Sequence, residues 1–440
     1  MTLQSTLATE RILTRRTFLT TTASVTAGLS ALKPILAESR PSTPRKFRVG
    51  MITTHADWFH APELTFPWGP DGVKRIIDRY LEAGITRLCW RCTDGGTTHY
   101  YSKLRDPYHG LDPDNCHNAF FMTENIGRYY QSDYRTFDSF ASAIELGRKA
   151  GLEIYAWCQM AGEDDGFGYK SRRVKEHPEF CTVGRDGQRF AGKLGWAYPQ
   201  NHEHLLSLLR EILAYKPDGV ILDFLKNQGD YRDQLNDHLG VAFYGYEPPG
   251  VDEFKKLTGK NAFAIPNDDP DWVRHRAGYL TSFAQKARAL QRSVAPNVRW
   301  LAQVWAGGRT PHFTLLSKEE YRRGGPYYKD GSNPVKDHLS GALCDLEAWT
   351  RNESFDVIYP LPTWGQFETG LRTVQDLNRG KATRIEAGGY IWDVTPDKLR
   401  AFFRRAVEMG CGEIYLAESL PVETKQLWKS LREVVHEFQG

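Results

Sequence analysis

Apolar residues along this chain fall into short runs separated by amphipathic stretches, and the two kinds of segment alternate. Eight runs predict strands, at 47–53, 85–91, 152–158, 218–224, 298–304, 355–360, 383–391 and 412–417. Helical periodicity fills the intervals, for instance at Gly72–Ala83, Thr136–Ala150, His202–Ala214 and the terminal Glu423–Phe438. Thr395-Pro-Asp397 marks a further helix start, with a hydroxyl N-cap, proline at the first helical position and an early acid.

The connections are lopsided. Helix-to-strand links are short, as in Ala83-Gly84-Ile85, Ala150-Gly151-Leu152 and Met409-Gly410, where glycine stops a helix in the left-handed conformation. Strand-to-helix links are long, with 92–135, 159–200, 225–250 and 306–335 the largest. Eight βα units with trimmed bottoms and elaborate tops predict an α/β fold, a (β/α)8 TIM barrel with long loops at the C-terminal face of its strands. Right-handed crossovers make successive parallel strands the natural outcome. The rival pattern, a doubly wound open sheet, would more often carry a Gly-rich phosphate turn after its first strand, and none is present. No internal repeat or second-domain boundary interrupts 47–440.

The N-terminus reads as an address. Thr14-Arg-Arg-Thr-Phe-Leu19 is a twin-arginine pattern, followed by a weakly apolar, Thr-rich stretch to Leu36 and a small-residue cut after Ala37. Residues 1–37 are therefore expected to be a signal peptide, 38–46 a linker, and the mature protein periplasmic or secreted. The stretch is too short and hydroxylated for a good transmembrane helix. Those 37 residues carry four basic and one acidic side chain, so 57 basic and 54 acidic residues become 53 of each. A balanced mature chain exerts no general pull on nucleic acid or anionic membrane, and no long apolar run predicts stable membrane insertion.

Seven cysteines, odd in number and scattered, do not form a disulfide framework. Cys89-Trp-Arg-Cys92 has CxxC spacing, but on a strand the two side chains are expected to point to opposite faces.

Candidate chemistry gathers at the strand ends. Six of the twelve tryptophans, Trp58, Trp90, Trp157, Trp305, Trp364 and Trp392, lie where strands empty into loops. An indole is a broad apolar surface on which the C–H face of a sugar ring stacks, so the set suggests a carbohydrate groove. The same rim carries His55, Asp57, Arg91, Asp94, Gln159 and Gln303. Of these, His55, Asp57, Arg91, Gln159 and Gln303 are expected to bind sugar hydroxyls.

Asp223 is the sharpest single position. In Asp218-Gly-Val-Ile-Leu-Asp-Phe224 an apolar strand ends in an acid, which must be solvated by a cleft, paired or protonated. Glycoside cleavage uses two carboxyls flanking the bond. The candidates for the second, in order, are Glu418 after the eighth strand, Asp393 after the seventh and Glu163 after the third. Glu386 lies mid-strand and is expected to face the layer between barrel and helices. A metal-dependent isomerase or lyase would need three or four converging His, Asp or Glu; His55 and Asp57 alone do not supply them. No metal or cofactor is expected.

The segment Asn201–Asp230, with Lys216-Pro-Asp-Gly-Val-Ile-Leu-Asp-Phe224 at its centre, resembles the fourth βα unit of barrel proteins called glycosyl-hydrolase-like family 10. Gly151-Leu-Glu-Ile-Tyr-Ala-Trp157 resembles their third strand, and His177-Pro-Glu-Phe180 with Gly184-Arg-Asp-Gly187 the loop after it. Trp272-Val-Arg-His-Arg276 resembles the helix before the fifth strand. The likeness covers most of 47–420 and implies a barrel acting on carbohydrate, without fixing a mechanism. The expectation is an exported glycoside hydrolase, with a non-catalytic glycan-binding barrel or a metal-dependent sugar isomerase or lyase as alternatives.

Overall fold

Strand-forming runs that cannot be solvated on either face must be covered on both, and a ring of parallel strands wrapped by helices does this. In the computed structural model the described residues are 47–53, 58, 67–107, 133–163, 170–223, 225–227, 244–267, 269–304, 312–313, 328–329, 343–361, 367–391 and 394–439. From Phe47 onward they form one compact unit. The signal peptide and linker expected at 1–37 and 38–46 lie outside the described residues.

The eight predicted strands are all present. They are β1 (Arg48–Thr53), β2 (Arg87–Asp94), β3 (Glu153–Gln159), β4 (Gly219–Asp223), β5 (Arg299–Val304), β6 (Val357–Pro360), β7 in two pieces (Arg384–Ile385 and Ala387–Tyr390) and β8 (Glu413–Ala417). Each pairs in parallel with the next, from β1–β2 round to β6 and the first piece of β7. The ring closes because the second piece of β7 pairs with β8, and β8 with β1. The break falls at Glu386, whose N–H still reaches the Ile358 carbonyl of β6 at 3.1 Å. Its carboxylate accepts from the Gly412 and Glu413 amides, both at 2.9 Å. Glu386 thus bonds to the backbone at the start of β8.

Eight helices follow the strands in turn: α1 (Pro70–Glu82), α2 (Ser139–Lys149), α3 (Pro199–Ala214), α4 (Pro270–Val294), α5 (Leu346–Arg351), α6 (Phe367–Leu377), α7 (Pro396–Glu408) and α8 (Trp428–Gln439). This is a (β/α)8 TIM barrel. Helix α7 starts as its sequence requires, with the Thr395 hydroxyl accepting from the Lys398 amide at 3.3 Å. Helix α2 begins three residues later than the periodicity predicts, because Asp138 takes the N-cap and accepts from the Ala141 amide at 2.9 Å. The terminal helix is interrupted: Leu420–Thr424 forms one turn, Gln426 turns left-handed at φ 55°, and α8 follows. Between α2 and β3, Gly151 is left-handed at φ 81°, where a β-carbon would be strained.

Strand alternation sorts the side chains into two cores. Odd-numbered positions on β2, β3, β4, β5, β6 and β8 point into the barrel, giving a cluster of Cys89, Tyr155, Trp157, Ile221, Leu301, Val357, Tyr359, Tyr415 and Ala417. Even-numbered neighbours, among them Leu88, Trp90, Val220, Leu222, Ala302 and Ile414, face the helices. Cys89 and Cys92 accordingly lie on opposite faces of β2. All six described cysteines are free.

At the N-terminal end of the barrel the inward positions carry charge. Arg87 donates to Glu153 and Glu413 at 2.5 Å each, and Arg299 and Arg384 reach Glu413 at 3.1 and 3.0 Å. Burial alone would raise the Glu413 pKa; Arg87 and Arg299 override it and bring it down to about 2. Gly219 leaves room in this end for the Tyr155 ring, which an added β-carbon would meet at 2.7 Å.

Candidate active site

The C-terminal end of the barrel is the other polar layer, and the strand period decides which residues enter it. Asp223, Gln303 and Tyr359 are the last odd-numbered positions of β4, β5 and β6, Arg91 and Trp157 lie near the ends of β2 and β3, and Glu418 follows directly on β8. The first five are buried, Asp223 to 1% exposure. Glu418 keeps 14% of its side chain exposed.

A chain of contacts crosses this mouth. Arg91 pairs with Glu418 through Nη2 and with Asp94 through Nη1 at 3.1 Å. Its guanidinium lies over the Trp157 ring, 5.3 Å from the centroid. The Trp157 indole N–H points to Gln303 Oε1 at 3.4 Å, and the Tyr359 hydroxyl donates to the same oxygen at 2.9 Å. Gln303 Nε2 in turn donates to Asp223 Oδ2. Asp223 and Glu418, on strands diametrically opposed in the ring, thus share one network.

Their electrostatics differ. Burial raises the Glu418 carboxyl above its ordinary value, Arg91 opposes the rise, and Asp94 adds to it as a like charge. Beside Asp223 sits buried Lys226, whose ammonium burial brings down to about 8 although Asp223 acts to raise it.

Not all predicted site residues gather here. Trp90 occupies an even-numbered position, and its ring is buried against the helices with its N–H on Ser139 Oγ at 3.0 Å. Trp58 is also fully buried, 5.8 Å from the Trp428 ring and bonded to Ser419 Oγ at 2.8 Å. With both faces covered by side chains, neither ring offers a sugar platform. Gln159 is spent on the backbone: its Oε1 accepts from the Gly95 amide at 2.5 Å, fixing the turn after β2. Glu163 is fully buried against Arg105 at 2.5 Å, with His204 3.7 Å away. Burial would raise its pKa, but Arg105 and His204 bring it down to about 2, so it has no proton to donate at ordinary pH. His55, Asp57, Trp305, Trp364, Trp392 and Asp393 lie outside the described residues.

Tyr359 and Lys226 were not singled out by sequence reasoning. Tyr359 could have been found by counting two residues on from Val357, which puts it on the inner face of β6; nothing local marks Lys226. Among the described residues, no group of three or more His, Cys, Asp or Glu is placed to hold a metal ion. Nor is any helix among them long and apolar enough to cross a membrane.

No family model matches the sequence, and no curated protein matches it. Solved structures do. The catalytic domain of a β-amylase from Paenibacillus polymyxa aligns with a TM-score of 0.54 at 9% identity, covering 89% of this chain and 99% of that one. A β-galactosidase from Bacillus circulans sp. alkalophilus aligns at 0.52 and 13% identity, covering 90% of this chain and 56% of its own. One from the psychrophilic Marinomonas ef1 aligns at 0.51 and 9%, covering 89% and 59%. The chain therefore spans little more than half the length of either galactosidase. At these identities the likeness is one of fold: this is a TIM barrel of the kind found in solved glycoside hydrolases.

Proposed function

We propose that the protein is an exported glycoside hydrolase that cleaves O-glycosidic bonds of a poly- or oligosaccharide, with Asp223 and Glu418 as its carboxyl pair. The observation that carries this reading is the placement of two carboxyls on opposed strands at the C-terminal mouth, where barrel enzymes build their sites. They stand with Arg91, Trp157 and Gln303 between them. The twin-arginine pattern at Thr14–Leu19 supports export of the folded protein to the periplasm or beyond.

In this reading Trp157 contributes to the sugar-binding surface, joined by Trp305, Trp364 and Trp392, which follow β5, β6 and β7 in sequence. His55, Asp57 and Arg91 serve the sugar's hydroxyls. Asp393 is the rival for the second carboxyl. Release of reducing ends from a broad polysaccharide and oligosaccharide panel tests the proposal, with wild type, Asp223→Asn, Glu418→Gln and Asp393→Asn side by side. Turnover should fall on the order of a thousandfold in Asp223→Asn and Glu418→Gln. Activity lost in Asp393→Asn but kept in Glu418→Gln would transfer the second role to Asp393. Near-normal turnover in Asp223→Asn would sink the assignment. Sugar binding without turnover in the wild type would favour the glycan-binding barrel.

A further inference from the structure

The geometry points to Tyr359 and Gln303 as a positioning pair that fixes Asp223 as the anionic, proton-accepting member of the carboxyl pair and leaves Glu418 as the donor. This assignment of roles rests on the glycosidase reading of Asp223; the clamp itself does not. An amide side chain can present either its oxygen or its NH2 to a neighbour, and only the surrounding donors decide. Here the decision is forced. The Trp157 indole can only donate, and it faces Gln303 Oε1. Burial, with Cys89 and Asp223 nearby, keeps the Tyr359 hydroxyl protonated well beyond the ordinary range, and it donates to the same oxygen at 2.9 Å. Tyr359 is itself held by stacking on Tyr415, ring centroids 4.4 Å apart and 12° from parallel. With its oxygen engaged twice, Gln303 turns its NH2 onto Asp223 Oδ2.

A donor aimed at a carboxylate favours the ionised form. Lys226 stands beside Asp223 with a positive charge that favours ionisation, the neutral Cys344 and Tyr359 lie nearby, and Lys193 lies near Lys226. Burial of Asp223 opposes its charge, and the Lys226 ammonium and the Gln303 NH2 act against that opposition. Glu418 is the carboxyl that burial and Asp94 push toward the protonated form. With these roles the reaction is an inverting one, in which Glu418 gives its proton to the leaving glycosidic oxygen as the C–O bond breaks. Asp223 takes a proton from the water whose oxygen bonds to the anomeric carbon. The proton lost by Glu418 is thus matched by the one gained by Asp223, and solvent exchange restores both.

The test follows the Asp223 carboxyl directly, by infrared difference spectra between each protein and its Asp223→Asn counterpart over a pH series. The pH profile of kcat/KM is recorded alongside on a glycan the wild type hydrolyses. Gln303→Met removes the donor at similar length; it should raise the Asp223 midpoint and the acid limb of the profile together by about one pH unit. Tyr359→Phe frees the amide to rotate and should move both in the same direction by less, with kcat falling several-fold and KM little changed. An Asp223 midpoint unmoved in both variants overturns the clamp, as does a shift confined to the alkaline limb. If Gln303→Met does not fold, Tyr359→Phe decides alone. A midpoint that moves as expected in a protein that cleaves no glycan would keep the clamp and refute the glycosidase reading.

Discussion

The two ends of this barrel are built from the same inward-facing register and do opposite things. At the N-terminal end, Arg87, Arg299 and Arg384 surround Glu413, and Arg87 and Arg299 override its burial and lower its pKa to about 2. At the C-terminal end, burial raises the Glu418 carboxyl while a single guanidinium, Arg91, opposes the rise and is shared with Asp94. The difference is the ratio of cations to acids. A carboxylate bound by three arginines is locked in one protonation state and serves as a fixed strut. One that shares a single arginine with a second acid is pushed toward its protonated form. Titratable layers at both ends are thus compatible with one being structural and the other chemical.

The sharpest way to break this comparison is to neutralise one acid at each end. Glu413→Gln leaves the buried Arg87 with Glu153 alone and the half-buried Arg299 without its anion, and breaking a buried pair costs about 3–5 kcal/mol. Its thermal or urea midpoint should drop far while turnover per folded molecule stays within about twofold. Asp223→Asn should show the reverse, with turnover lost and the midpoint nearly kept. Equal damage to stability from both variants would erase the distinction.

Acid should destabilise the fold through the lower end. The folded-state pKa of Glu413 lies below its unfolded value, so its contribution to stability is present above about pH 4.5 and is lost as pH falls toward 2. The urea midpoint of the wild type should therefore decline between about pH 5 and 2, and more steeply than that of Glu413→Gln. Parallel declines would mean that other carboxylates, Glu163 among them, dominate acid unfolding.

The smallest expected effect concerns Asp94, 25% exposed beside Arg91. Asp94→Asn removes the like charge that helps raise Glu418, so Glu418 should lose its proton at lower pH. The alkaline limb of the kcat/KM profile should move down by about half a pH unit. A limb that moves up, or stays in place, would point to a different proton donor.

Much of the fold was legible because it is local. Each strand needs only an apolar run, and each helix only a periodic face and a start signal such as Thr395-Pro396. The site was legible in part, and the strand period explains where the reading went astray. Trp90 and Arg91 are adjacent on β2 and were both placed in the site, yet alternation allows only one of them inside; Arg91 enters and Trp90 faces the helices. Glu163 looked like a free acid because its partner Arg105 is 58 residues away in the chain.

The sequence by itself determined the βα rhythm, the lopsided loops and an acid at the end of β4, since each depends on residues a few positions apart. Only the tertiary structure decided what those side chains meet. That Gln303 faces Asp223 by its NH2 depends on Trp157 and Tyr359, which arrive from β3 and β6. That Glu413 is locked while Glu418 is not depends on how many arginines the closed ring brings to each end. Both are set by distances across the barrel, and electrostatic energy falls with distance in space, not along the chain.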